Sequence, residues 1–157
     1  MKLFSKNKTI SVVSPLTGVA VDLSEVNDPT FSERILGNGI AILPSVGRLY
    51  SPISGLIESI SESAHAIAIV GDNGVEILIH IGIDTVELNG EPFSVRVKVG
   101  DRVDVGHLLI EFDLGKIISS GYDAVTPIIV TNSSDYSKLD FHKGKINAME
   151  SLIEIKK

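Results

Sequence analysis

Short runs rich in Val and Ile, each broken within a few positions by Gly, Pro, Asn or Asp, recur along the whole chain. "TISVVSP", "GVAVDL", "GIAILPS", "HAIAIV", "VEILIHI", "HLLIEFD", "TPIIVTN" and "SLIEIKK" are examples. Runs this short suit strands whose side chains alternate between two faces, not long core helices. Many such strands predict an all-β protein, an antiparallel sandwich or flattened barrel. Only "TFSERI" and "LGKIISSGY" read as short helices, with a helical turn at "DTVEL".

The pattern also repeats internally. "SPLTGVAVDLSEV" begins at Ser14 and "SPISGLIESISES" at Ser51. Proline holds the residue before it in extended geometry, and glycine allows a turn or bulge. Two copies of one such unit predict a pseudo-symmetric fold. The chain has 157 residues and no linker or low-complexity stretch, which predicts one domain over 1–157. Residues 1–8 read as a short flexible tail. The starting Met and short ends favour a free-standing domain over one excised from a longer chain.

Composition removes several classes of function. Without cysteine there is no disulfide, no thiolate catalysis and no cysteine-bound zinc or iron–sulfur centre. A net charge of −6, with only Lys2, Lys6 and Lys8 as a basic spot, argues against a nucleic-acid partner. No apolar run approaches the ~20 residues that span a bilayer, and the N-terminus lacks the apolar centre of a secretory signal. A cytoplasmic protein without stable membrane insertion is expected.

Two histidines are the candidates for chemistry, although a lone histidine in an apolar strand is more often structural. In "VEILIHI", Val75, Ile77, Ile79 and Ile81 share one strand face, and Glu76, Leu78, His80 and Gly82 share the other. His65 opens the run "HAIAIV", and Asp72, Asn73 and Gly74 between the two runs are strong hairpin-turn residues. A hairpin turning there brings His65 and His80 together at its open end. His107 and His142 have no such neighbours and read as surface or structural residues.

With these residues in place, "HIGIDTVEL" resembles the phosphohistidine motif of the glucose-type enzyme IIA family of the bacterial phosphoenolpyruvate-dependent sugar phosphotransferase system. "SPLTGVAVDLSEV", "FSERILGNGIAILPS", "SPISGLIESI" and "VGDRVDVGHLLIEFD" resemble other segments of the same family, so the likeness covers nearly the whole chain. It implies a β-sandwich with a shallow active site. His80 would accept a phosphoryl group from the carrier protein HPr and pass it to a cysteine of a sugar-specific IIB domain. His65 would hydrogen-bond that group, and Ser63, standing where threonine is usual, would supply an orienting hydroxyl. Gly82, Asp84 and Val86 match the motif beside the reactive histidine. Phe31, Ile35, Leu36, Leu78 and Val86 are candidates for an apolar partner-binding ring, with Gly82 letting a donor approach closely. Asp28 and Asp84 would face a basic HPr surface.

General chemistry agrees. Imidazole is a covalent catalyst with a large neutral fraction at neutral pH. Phosphoryl transfer depends on positioning and on stabilising spread negative charge. No metal is required, although His65 and His80 could take a regulatory zinc when a partner supplies a carboxylate, since family members form regulatory complexes with metabolic enzymes. Some relatives carry an amphipathic N-terminal tail, and "MKLFSKNK" is too short and weakly charged to hold a membrane. A zinc hydrolase of related β architecture is one alternative, and it needs at least three protein ligands. A non-catalytic binding module is another. "VGDRVDVGHLL" resembles lipoyl and biotinyl domains, but the hairpin-tip lysine they modify is missing.

Overall fold

The computed structural model describes residues 9–157; the expected tail over 1–8, with Lys2, Lys6 and Lys8, lies outside the described residues. In chain order the elements are β1 (Thr9–Val13), β2 (Gly18–Asp22), α1 (Pro29–Ser32), β3 (Asn38–Pro44), β4 (Arg48–Tyr50), β5 (Gly55–Ile60), β6 (Ala66–Gly71) and β7 (Glu76–His80). They continue with β8 (Phe93–Val95), β9 (Arg102–Val103), β10 (Leu108–Phe112), α2 (Leu114–Ser119), β11 (Thr126–Val130), β12 (Lys138–Phe141), β13 (Gly144–Ile146) and β14 (Ser151–Lys156). All the strand pairs are antiparallel. The two expected helices form, shorter than their sequence runs, and "DTVEL" makes a 3-10 turn over Thr85–Leu88.

Eight strands form one open sheet in the order β13-β2-β3-β11-β7-β6-β5-β9, flanked by two three-stranded sheets, β1-β14-β12 and β4-β10-β8. The sandwich reading therefore holds, and the barrel does not close. Both edges of the large sheet are strands of two or three residues that carry a cation, Arg102 on β9 and Lys145 on β13. Short, charged edges resist pairing with another chain.

The predicted duplication is written into the topology. The large sheet reads the same from either end, with β13, β2, β3 and β11 mirrored by β9, β5, β6 and β7. The small sheets repeat the match, β1 with β4, β14 with β10 and β12 with β8. The second unit, β4 to β10, is thus inserted between β3 and β11 of the first. Ile79 and Ile128 pair with each other across the middle of the sheet, where the pseudo-twofold axis passes.

Local chemistry follows the same symmetry. The buried hydroxyls of Ser14 and Ser51 donate to the carbonyls of Leu16 and Ile53, at 2.6 and 2.7 Å, closing each Ser-Pro turn. A Cβ on Gly18 would strike the Leu43 carbonyl, and one on Gly55 the Val70 carbonyl, so each strand starts with glycine because a neighbouring backbone lies there. The pairings β1–β14 and β4–β10 each break register once, leaving Leu152 and Leu109 as the extra residues.

The main core lies between the large sheet and the two small ones. Ile40, Ile42, Ile67, Ile69, Ile77, Ile79 and Ile128 project into it from the large sheet and meet Val12, Leu49, Leu109, Leu152 and Ile153. The opposite face of the large sheet carries a second, smaller core. There Ala41 and Ile129 are covered by Leu23, Val26 and Phe31 from the segment between β2 and β3. This covering segment positions one wall of the site. None of the helices among the described residues is long and apolar enough to cross a membrane.

Candidate active site

The "GDNG" turn closes the expected β6–β7 hairpin, with Ala66 opposite His80 and Val70 opposite Glu76. Ile77 and Ile79 point into the main core, and Leu78 and His80 point to the other face, as their alternation predicts. His65 breaks its own alternation. Continued back from Ile67 and Ile69, strict period two would send its ring into the main core. It lies instead just before β6, in a turn where Ala64 has φ 62°, and its ring reaches His80. The ring centroids are 4.7 Å apart and nearly perpendicular. The Ile81 N–H donates to the His65 carbonyl at 2.7 Å and locks the open end of the hairpin.

Each ring nitrogen has a definable role. His80 Nδ1 is 2.7 Å from the Gly82 carbonyl, which can only accept, so Nδ1 carries the proton and donates. The Nε2 lone pair of His80 is left as the nucleophile. His65 Nδ1 faces the Ser61 hydroxyl at 3.2 Å. Burial pushes both histidines below the ordinary imidazole pKa. For His65 the neighbouring His80 adds to that effect. For His80 the Gly82 hydrogen bond and the charges of Asp28 and Asp84 oppose it without overcoming it. Both rings are therefore neutral at pH 7, the state a nitrogen nucleophile requires.

Three sequence expectations change. The hydroxyl on His65 belongs to Ser61, not Ser63; the turn points Ser61 Oγ at the ring, and Ser63 makes no hydrogen bond to it. Phe31 is not part of an exposed ring, because it is 4% exposed and packs beneath His80 with centroids 5.0 Å apart. Gly82 is buried and serves the interior instead of an approaching donor: with φ 78°, a Cβ there would lie 2.5 Å from Thr85 Cγ2 and 3.0 Å from the Asp123 carbonyl.

The other expected residues differ in exposure and in their ties to the histidines. Ile35, Leu36 and Val86 are exposed, at 68%, 39% and 45%, and Leu78 is half-buried beside Phe31 and Ile129. Asp28 caps α1 by accepting the Thr30 N–H at 3.0 Å, which holds its charge near His80. Asp84 is exposed, has φ 61° and makes no capping bond with its side chain. Beside it, Asn27, Ile83, Tyr122 and Asp123 line a notch of about 190 Å³. Asp123 was not foreseen; its carbonyl accepts the Ile83 N–H at 2.9 Å and its carboxylate the Val125 N–H, tying the loop after β7 to the start of β11. His107 and His142 are exposed and stand apart from the site.

Among the described residues no group of three or more His, Cys, Asp or Glu side chains is arranged to hold a metal ion. His65 and His80 supply two ligands, so a zinc ion here would need others from outside the chain.

Comparison with known proteins identifies the family. The family model described as the phosphoenolpyruvate-dependent sugar phosphotransferase system, EIIA 1, matches residues 10–136. The "PTS system beta-glucoside-specific EIIBCA component" of Halalkalibacterium halodurans is 45% identical over 145 residues, 92% of this chain and 23% of that protein. The protein of the same description from Bacillus subtilis is 45% identical over 143 residues, 90% of this chain and 24% of its own length. The chain thus spans about a quarter of these relatives. Glucose permease IIA from Mycoplasma capricolum superposes with a TM-score of 0.88 at 33% identity, covering 98% of this chain and 99% of that one. The chain belongs to the EIIA 1 family of the phosphoenolpyruvate-dependent sugar phosphotransferase system.

Proposed function

We propose that the chain is a phosphocarrier that accepts a phosphoryl group on His80 from phospho-HPr and delivers it to a IIB domain. The observation that carries this reading is the fixed Nδ1–H of His80, which presents Nε2 as a neutral lone pair beside a second imidazole. In the first step the P–N bond of phospho-HPr breaks and a P–N bond to His80 Nε2 forms. In the second, that bond breaks as a cysteine thiolate of the IIB domain takes the phosphorus. His65 supports the phosphoryl oxygens by hydrogen bonding, where preorganised donors lower the barrier most.

The rim fits two partners used in turn. Ile35, Leu36 and Val86 offer exposed apolar contact, and Asp28 and Asp84 offer negative charge to a basic HPr face. The names of the relatives make a β-glucoside-specific IIB domain the first acceptor to test. Use of HPr as donor places the reaction in the cytoplasm. The zinc-hydrolase alternative finds no third ligand among the described residues.

Incubation with enzyme I, HPr and labelled phosphoenolpyruvate should label the wild-type protein and leave His80→Gln unlabelled. His65→Gln should still accept phosphate but pass it on about 10- to 100-fold more slowly, as expected for loss of one hydrogen bond to a charged group. Wild-type labelling of His80→Gln would refute the assignment.

A further inference from the structure

We propose that Ser61 is the positioning residue that sets His65 as its Nε2–H tautomer, so that His65 can donate to a phosphoryl group on His80; the functional half of this rests on the phosphocarrier reading. A serine hydroxyl has one proton to give and two lone pairs to accept with. Ser61 Oγ already accepts the Ala66 N–H at 3.0 Å. Its own proton is then free to donate, and His65 Nδ1, 3.2 Å away, is the acceptor in reach. An Nδ1 that accepts carries no proton, which puts the ring proton on Nε2. In the reverse tautomer both Ser61 lone pairs would accept N–H groups, and the Ser61 proton would be left without an acceptor among the described residues.

The turn is built to hold this arrangement. Ser61 N–H donates to the Ala66 carbonyl at 2.9 Å, and Ala64 N–H to the Ser61 carbonyl at 2.8 Å. Ala64 completes the turn with φ 62°, a conformation that an L residue adopts only at some cost. His65 itself is only 8% exposed, so solvent has little access to reset its ring. The result is a division of labour between two like side chains. The Gly82 carbonyl makes His80 an acceptor at Nε2, and the Ser61 hydroxyl makes His65 a donor at Nε2. Burial keeps both rings neutral, which the two tautomers require. Ser63 lies in the same turn, two residues nearer to His65, without touching either ring through a hydrogen bond.

The test is ¹⁵N NMR of the imidazole rings in the full unphosphorylated chain at pH 8, combined with transfer rates to a IIB domain. The wild-type protein and Ser63→Ala should show His65 as a single Nε2–H tautomer. Ser61→Ala should show averaged His65 nitrogens, with the His80 pattern unchanged as a control for folding. Its transfer to IIB should slow roughly five- to tenfold, the worth of one neutral hydrogen bond, and Ser61→Thr should restore both readouts. An Nδ1–H tautomer in the wild type, or an equal change in Ser63→Ala, would overturn the assignment. Normal transfer by a Ser61→Ala protein with averaged nitrogens would overturn its functional half. The tautomer is read without phosphate, so a wild-type chain that takes no label refutes the phosphocarrier reading by a separate result.

Discussion

His80 and His65 are the same side chain put to opposite uses, and the difference lies in what touches Nδ1. A backbone carbonyl holds the proton on one ring, and a hydroxyl donates to the other. Both rings are held neutral by burial, and this has a consequence for stability. Their native pKa values lie below the value of about 6.5 that the unfolded chain would show. Between pH 7.5 and 5.5, the unfolded chain therefore takes up protons that the native rings refuse. Their contribution is fully present above about pH 6.5 and is lost as pH falls through that value towards the native pKa values. Urea unfolding across this range should show stability falling with pH, and the His65→Gln/His80→Gln double variant should show a shallower fall. Equal slopes would contradict the neutral-ring account.

How much of this was legible in the sequence depended on whether the coding was periodic. The β6–β7 hairpin was readable, because Asp72, Asn73 and Gly74 mark its turn and the isoleucines of β7 alternate in period two. Ser61 was not, because "SESAH" offers two hydroxyls and only the hydrogen bonds of an irregular turn choose between them. Phe31 was misjudged for a similar reason: no strand pattern reveals that the segment after β2 folds over Ile129 and turns its phenyl ring inward. A second echo was present as well. "LLIEF" in β10 and "SLIEI" in β14 occupy equivalent places, and each carries its extra residue at a leucine that is fully buried, Leu109 and Leu152. Because the two bulged leucines fill equivalent halves of one core, Leu109→Ala and Leu152→Ala should each cost about 3 kcal/mol. Denaturant unfolding measures both. A cost below about 1 kcal/mol at either position would show that the two bulges are not equivalent in packing.

The molecule as a whole is two copies of one seven-strand unit that share a sheet, and only one copy carries the site. The pairing across the axis makes Ile129 the counterpart of His80 and Asn38 the counterpart of His65. In the first unit that place is filled by the small core of Leu23, Val26 and Phe31, and the same Phe31 then packs against His80 of the second. Duplication thus supplied the frame, and the covering segment made the two halves unequal. The chain spans about a quarter of these relatives, and the hydrogen bond that fixes His80 lies within that span. The most direct test of that geometry is to phosphorylate the chain with enzyme I, HPr and phosphoenolpyruvate and read the site of attachment by ³¹P and ¹⁵N NMR. The account predicts a phosphoryl group on Nε2 of His80, with Nδ1 still protonated towards the Gly82 carbonyl. A phosphoryl group on Nδ1 of His80, or on any other residue, would contradict it.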